Sequence, residues 1–315
     1  MPAILTHHLF GIDVYDELEH VIGTGAKMKD AFLLGNQGPD PFLCLKALPS
    51  SVDYRQVGSV MHTTSPTKLL EEVHRRMVEA KARQANSFLR AYALGFVCHY
   101  LLDSMAHPLV YAQQNAICKT GVRGLPPNRS GRIVHALIET ELDEYMLNAK
   151  RETTVESFQP HREALRCGEP ELWAISGSLS SVTKDTYGLA LPALAFAGGV
   201  HAYRTGQHMI DARRNYPTLS PDVAQLTGDA YLHIKALTHS AALKEQASFA
   251  NLDHVPWEHP FVPGAVMDAS FDELYAAALA KALDSLPRFA QAGFDASDCA
   301  ELTGSVNFYG ETVTE

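Results

Sequence analysis

The chain has 315 residues, of which 46% are hydrophobic and 20% are charged, and this is enough apolar material for a large folded core. Such a composition excludes the disordered and fibrous classes. With 36 acidic and 26 basic residues the formal net charge is −10, which argues against a broad cationic surface for duplex nucleic acid or anionic lipid.

The N-terminal residues do not resemble a targeting segment. Met1 to His8 include no basic start, no apolar stretch of seven residues and no small-residue cleavage site. No apolar run approaches the roughly 18 residues of a membrane span. The five cysteines form no CxxC pair and are odd in number, which favours reduced thiols. We therefore expect a cytoplasmic protein without a transmembrane segment.

Apolar positions recur mostly at helical spacing, and alternating β-branched stretches are nearly absent, so the sequence predicts an all-α fold. Helices are predicted over residues 9–34 with a break near Gly23 and Gly25, 65–82, 86–104, 133–148, 170–194, 221–249 and 271–286. Loops are predicted over 35–41 and 121–131. The segment 251–315 is rich in Pro, Asp and Gly and, apart from its helix, is expected to lie over the surface.

Three metal-ligand side chains, His99, Asp103 and His107, follow one another at intervals of four residues in and just after the helix predicted over 86–104. Each step of four turns a residue by only about 40° and advances it by about 6 Å, so neighbours can share one metal ion. Pro108 disfavours helical geometry at the residue before it, so the helix is expected to end at His107. His107 would then point to a second ion.

A second pair with the same spacing, His135 and Glu139, lies on another predicted helix. Such a pair alone is more often a solvated polar stripe than a metal site. The context of His99 and Asp103 favours a metal site, because unpaired ionisable groups among Phe96 and its apolar neighbours would cost several kcal/mol. Metal coordination would offset that cost.

Loop residues could complete such a cluster. Asp40 lies between two prolines and His62 follows Met61, although the first could be an ordinary turn aspartate and the second a surface histidine. His7 and His8 precede the first predicted helix, and either of them could be a ligand. Carboxylates would supply the neutralising charge, because a ligating histidine carries none.

The order of these residues resembles the bacterial zinc-dependent phospholipase C family, which shares its fold with the fungal single-strand nucleases. The resemblance covers about residues 1–150 by motif and the later helices only by length and class. The residues that carry it are His7, Gly38–Pro–Asp40, His62, the run from Gly95 to Pro108, His135 and Glu139.

The resemblance implies a multi-helix bundle with two or three Zn²⁺ ions in one cleft. It also implies that Asp103 bridges the first of these ions to a third ion, which His7 and the N-terminal backbone hold. The implied ligands of the first ion are Asp40, His62, His99 and Asp103, and those of the second are His107, His135 and Glu139. It also implies phosphoester hydrolysis by metal-activated water, with Asp40 as the catalytic residue that orients or deprotonates the water.

Outside the motif, Trp257 and His259 lie in a proline-bounded stretch that could roof the cleft and bind substrate. The alternative is a packed loop that Trp257 anchors in an apolar niche. The whole chain, 1–315, is expected to form one domain, with a ligand core over 1–150, supporting helices over 151–250 and an irregular C-terminal segment over 251–315.

The predicted function is a zinc-dependent phosphoester hydrolase of the phospholipase C type, acting on a phosphoester that could be a phospholipid. A nuclease of the same fold should carry aromatic platforms and basic residues at its cleft, and the acidic balance does not favour it. The other alternative is a non-catalytic zinc protein in which the metal contributes to folding or to an interaction surface.

Overall fold

A computed structural model describes residues 4–47, 56–78, 87–121, 127–209, 237–239 and 248–314. Within these ranges the chain is helical with one two-stranded ribbon, as predicted for an all-α fold. The helices are α1 Ile4–Ile22, α2 Ala26–Gly35, α3 Asp40–Leu43, α4 Val57–Thr63, α5 Pro66–Val73, α6 Ser87–Thr120, α7 Pro127–Arg151, α8 Val155–Phe158, α9 Pro160–Glu163, α10 Glu169–Tyr187, α11 Ala195–Met209, α12 Phe271–Phe289 and α13 Ala296–Thr303.

Helix α6 is the centre of the fold. It packs against α1, α2, α7, α10 and α12, and its apolar side chains from Phe88 to Val110 are buried on all sides, apart from the partly buried Met105. A helix that is apolar all round must be covered all round, so the other helices form a shell about it. The buried core extends from Ile4 to Phe308, and the single-domain assignment over residues 1–315 stays a prediction.

The prediction that Pro108 ends this helix is wrong, because α6 continues to Thr120. A proline inside a helix leaves the carbonyl four residues earlier without its usual donor. Here that carbonyl belongs to Ser104, and Gly310 packs against both it and the Pro108 ring, so closely that a Cβ on Gly310 would overlap them. Tertiary packing of the buried Pro108 therefore overrides the local preference.

Two glycines bring α2 close to α6. A side chain at Gly35 would overlap the Tyr92 carbonyl, and a side chain at Gly95 would overlap the Phe32 carbonyl. The two helix backbones therefore touch at this point. Asn36 follows directly after α2, and this close approach places its carbonyl beside α6.

The C-terminal segment departs from its prediction. Helix α12 begins with a capping box in which Ser270 and Glu273 exchange hydrogen bonds, and Tyr275 and Leu286 on its inner face are buried. It packs against α1 and α6 and confirms the helix predicted over 271–286. The departure lies in the rest of the segment, where Phe294, Leu302 and Phe308 are buried in the core rather than spread over the surface. Before it, the ribbon pairs β1 Trp257–Glu258 with β2 Val266–Met267.

The remaining boundaries follow the sequence with local differences. The first predicted helix breaks where expected, since α1 ends at Ile22 and α2 begins at Ala26. Helix α5 ends at Val73 and continues as a π-turn over His74–Val78, while α10 ends at Tyr187, before Gly188 in left-handed conformation. The predicted helix 221–249 lies almost wholly outside the described residues. No helix within the described ranges is long and apolar enough to span a membrane.

Candidate metal centre

The eight predicted ligands come together from five helices. Seven of them are buried, and His135 is partly exposed. They lie on α1 (His7), α3 (Asp40), α4 (His62), α6 (His99, Asp103, His107) and α7 (His135, Glu139). Their ligand atoms form three groups: the first is Asp40, His62 and His99, the second is His107, His135 and Glu139, and the third is His7, His99 and Asp103.

The Asp103 carboxylate lies between the groups. Its Oδ2 is 3.1 Å from Nε2 of His99 and 3.7 Å from Nε2 of His62, on the side of the first group. Its Oδ1 is 3.0 Å from Nε2 of His7 and 3.6 Å from Nδ1 of His107. One carboxylate thus faces Nε2 atoms of the first and third groups and the Nδ1 side of His107 in the second, which places it where the three groups meet.

In the other two groups a carboxylate also meets ring nitrogens. Asp40 Oδ1 lies 3.2 Å from Nε2 of His62. Glu139 Oε1 lies 3.2 Å from Nε2 of His135 and 3.5 Å from Nε2 of His107. The i, i+4 spacing on α7 therefore brings the side chains of His135 and Glu139 together, as predicted from the sequence.

Four of the histidine rings are oriented by carbonyl oxygens. Each ring donates its Nδ1–H to one oxygen and so turns Nε2 toward a carboxylate. The pairs are His62 with Gly58 O at 2.6 Å, His99 with Asn36 O at 3.0 Å, His107 with Phe308 O at 2.9 Å and His135 with Gln114 Oε1 at 2.9 Å. A bond from Nδ1–H to a carbonyl fixes the neutral tautomer in which Nε2 carries the lone pair that a metal needs.

One buried nitrogen that makes no hydrogen bond indicates whether the residues present suit a metal ion. Nε2 of His99 is fully buried and forms no hydrogen bond, because its Nδ1 carries the proton donated to Asn36 O and the atom it faces at 3.1 Å, Asp103 Oδ2, is also an acceptor. An unsatisfied buried polar atom is costly, so its presence needs a physical reason. Imidazole nitrogens and carboxylate oxygens are the ligands that Zn²⁺ takes from proteins. The residues present therefore fit zinc.

The carboxylates of the centre stay ionised. Burial would raise the pKa of Asp40, but the contact with His62 and the nearby His99 lower it to about 2. Burial also acts against ionisation of Asp103 and Glu139, and the adjacent histidines nonetheless hold both pKa values well below the usual range. Three buried negative charges need cationic partners.

The structure separates the two adjacent N-terminal histidines. His7 stacks on His99 with ring centroids 4.1 Å apart and contacts Asp103. His8 points elsewhere, against Phe158, and burial lowers its pKa to about 4. His7 is therefore the one in the cluster. The N-terminal backbone that the resemblance assigns to a third ion lies outside the described residues.

Asp143, one turn beyond Glu139 on α7, does not join the cluster. Its carboxylate accepts hydrogen bonds from the backbone N–H groups of Leu5 and Thr6 and from the Thr6 hydroxyl, at 2.6 to 3.1 Å. It thereby caps the beginning of α1 and holds the residue just before His7. Its side chain is fully buried.

Trp257 and His259 do not reach the predicted ligands within the described residues. The Trp257 indole donates to the Ala269 carbonyl at 3.1 Å, which matches the packed-loop alternative. The same ribbon places Phe261 against Tyr111, whose ring is 5.0 Å from that of His135. The predicted substrate contact of Trp257 and His259 stays a prediction.

Sequence reasoning missed the aromatic side of the centre. Tyr309 stacks on His62 with ring centroids 5.9 Å apart and contacts His107 at 5.5 Å. Its own pKa is raised by burial to about 12. Tyr309 lies 170 residues after the last predicted ligand, Glu139, in a segment with no ligand motif, so no local signal marked it.

Fold and site together define a class: a helical bundle with a buried centre of histidines and carboxylates that could hold metal ions. A family model described as zinc dependent phospholipase C matches residues 6–172, more than half of the chain. The chain belongs to the zinc-dependent phospholipase C family, a family of hydrolases. No curated protein and no solved structure matches it.

Proposed function

We propose that this protein is a zinc-dependent phosphoester hydrolase that cleaves a phosphodiester as phospholipases C do. The observation that carries the proposal is the convergence of three histidine and carboxylate groups on Asp103, with four rings oriented by carbonyl oxygens. Family membership supports the same reaction class.

Two or three zinc ions would be held by the eight residues in the arrangement of the three groups. When bound, zinc neutralises phosphoryl oxygens and lowers the pKa of a water nucleophile. A small cavity between the second and third groups has room for about one or two water molecules. It is lined in part by His7, Asp103, His107 and Glu139.

Asp40 is the proposed catalytic residue. Its carboxylate lies in the first group, is ionised, and contacts His62 through Oδ1. An ionised carboxylate at this place accepts a hydrogen bond from the attacking water and so orients the lone pair of that water toward phosphorus. Both oxygens of Asp103 contact histidines, and of the other two carboxylates Asp40 is the one that the resemblance to the family assigns to this role.

Phospholipid is the proposed substrate class, because the family is one of phospholipases. The net charge of −10 disfavours duplex nucleic acid. A nuclease of the same fold would need bases stacked on aromatic rings, and the half-buried rings of Tyr111, Phe261 and Tyr309 are close enough to one another to offer such a wall. Both substrates therefore belong in the test.

A structural zinc protein is the second candidate, and the deep burial of seven of the eight residues favours it. In that case the metal would stabilise the fold without turnover. The two candidates make different predictions for activity but the same prediction for metal content.

The test combines metal analysis with hydrolysis on one sample. Zinc is measured by mass spectrometry, and cleavage of bis(p-nitrophenyl) phosphate, phosphatidylcholine vesicles and single-stranded DNA is followed before and after chelation. Asp40→Asn is compared with His20→Ala, a control in which an exposed histidine at the end of α1 is removed. We expect chelator-sensitive turnover that falls at least about 100-fold in Asp40→Asn and is unchanged in His20→Ala.

The outcomes separate the candidates. Preferred cleavage of phosphatidylcholine supports the phospholipase, and preferred cleavage of DNA supports the nuclease. Bound zinc without turnover on any of the three substrates would leave only the structural role. A protein that retains no zinc after reconstitution contradicts all of them.

A further inference from the structure

A turn near the end of the chain, residues 307–311, touches both sides of the metal centre. The backbone N–H of Phe308 donates to the carbonyl of His62 at 3.1 Å. The carbonyl of the same residue accepts the Nδ1–H of His107 at 2.9 Å. One residue thus contacts a histidine of the first group and a histidine of the second. The family match ends at residue 172, so this C-terminal turn lies outside it.

The C-terminal turn is held in place by Asn307. The Asn307 side chain is buried, and its Oδ1 accepts the backbone N–H groups of Tyr309 at 2.9 Å and Glu311 at 3.1 Å. Its Nδ2 donates to the carbonyl of Thr63, the residue after His62, at 3.3 Å. This single amide therefore closes the turn and ties it to α4.

Phe308 anchors the C-terminal turn in the core. Its side chain is fully buried, with ring centroids 5.0 Å from Tyr100 and 5.8 Å from His99. Gly310, at φ +81°, packs against the Pro108 ring where any side chain would overlap it. The turn is therefore fixed against α6 on the other side as well.

Tyr309 is the residue that the C-terminal turn presents to the centre. Its ring lies between those of His62 and His107 and is only half-buried. Its hydroxyl shares a hydrogen bond with that of Tyr111, whose ring lies 5.0 Å from His135. The Tyr309 side chain is thus bordered by the first and second ligand groups and remains open to solvent on one side.

We infer that the C-terminal turn has two roles in the centre. Asn307 and Phe308 position His62 and His107, and the Tyr309 hydroxyl donates a hydrogen bond to the phosphoester. The part that concerns Tyr309 rests on the proposed function. The positioning part does not, because it concerns zinc affinity alone. A tyrosine hydroxyl can stabilise charge that develops on a phosphoryl or leaving-group oxygen as the bond breaks.

The positioning part is tested by zinc affinity, measured by competition with a chromophoric chelator. Asn307→Ala removes the amide that closes the C-terminal turn. The matched control is Asn251→Ala, whose amide closes another turn by accepting the N–H of Val255, four residues on, at 3.1 Å. We expect zinc affinity about 10- to 100-fold weaker in Asn307→Ala and unchanged in the control. Equal affinities in the two variants overturn this part.

The role of the hydroxyl is tested by Tyr309→Phe, which keeps the ring. The control is Tyr15→Phe, which removes another tyrosine hydroxyl, one that donates to the Gly23 carbonyl at 3.0 Å just beyond the end of α1. With zinc content equal in both, we expect kcat on phosphatidylcholine to fall about 10- to 100-fold in Tyr309→Phe, with KM within about threefold. The control should keep the parent kcat.

The two proposals fail in different ways. An active parent chain and an unchanged kcat in Tyr309→Phe would overturn the role of Tyr309 and leave the proposed function standing. A parent chain that binds zinc but cleaves none of the substrates contradicts the proposed function, and the donor role with it. In that case the affinity of Asn307→Ala still decides whether the C-terminal turn positions the histidines.

Discussion

Asp103 links the three groups of the centre through a single side chain. Its two oxygens face His99 and His62 on one side and His7 and His107 on the other. Asp103→Asn keeps the shape but replaces one oxygen with an NH₂ group that cannot ligate a metal. We expect the loss of at least one equivalent of zinc and of at least about 100-fold in phosphodiester turnover.

Metal analysis by mass spectrometry checks the prediction for Asp103, with His20→Ala as the histidine control. A variant that keeps full zinc content and full turnover would contradict the bridging role of this carboxylate.

A second carboxylate, Asp143, is predicted to act on stability. It accepts two backbone N–H groups and the Thr6 hydroxyl at the beginning of α1, in a fully buried position. Asp143→Ala leaves these donors unsatisfied, so we expect the free energy of unfolding to fall by about 3–5 kcal/mol.

Urea denaturation in the presence of chelator measures this difference in stability. Thr6→Val is the matched variant, because it removes only the hydroxyl contact and should cost about 1 kcal/mol. If Asp143→Ala were no less stable than Thr6→Val, the cap would not hold α1. Asp143→Asn, which keeps acceptor oxygen and shape, should lie between the two and provides folded material if the alanine variant does not.

At the scale of the elements, the contact between α2 and α6 depends on two glycines. A Cβ at Gly95 would overlap the Phe32 carbonyl, so Gly95→Ala must push the helices apart. Overpacking of this kind costs about 1–3 kcal/mol. The same shift would draw the Asn36 carbonyl away from Nδ1 of His99, so zinc affinity should fall too.

The control for this contact is Gly177→Ala in α10, where a Cβ would meet open space. Alanine is the better helix former by about 1 kcal/mol, so this variant should be equally stable or more stable. Denaturation midpoints of the two variants and of the parent chain check both expectations. A Gly95→Ala chain as stable as the Gly177→Ala chain would mean that the helices can separate without cost.

For the whole molecule, the centre joins five helices, so its metal should be linked to global stability. A ligand at 100 times its Kd stabilises the folded state by about 2.7 kcal/mol. We expect chelation to lower Tm by about 5 °C and added zinc, but not magnesium, to restore it. Differential scanning calorimetry with and without chelator provides the measurement. If chelation left the Tm of a zinc-loaded sample unchanged, metal binding at the centre would not contribute to the stability of the fold.

Local patterns in the sequence were sufficient for the helical class, for the break between α1 and α2, and for the pairs His99 with Asp103 and His135 with Glu139. The reason is that side chains four residues apart on a helix lie on one face whatever surrounds that helix. Spacing alone therefore predicts such neighbours.

Only the tertiary structure decided the course of α6 through Pro108, the separation of His7 from His8, the capping role of Asp143 and the place of Tyr309 in the centre. Each of these depends on which distant segment packs against a residue. Gly310 contacts Pro108 across about 200 residues of sequence, and Phe308 orients His107 over a similar separation. Contacts of this range leave no periodic trace in the chain, because they are set by how the helices pack.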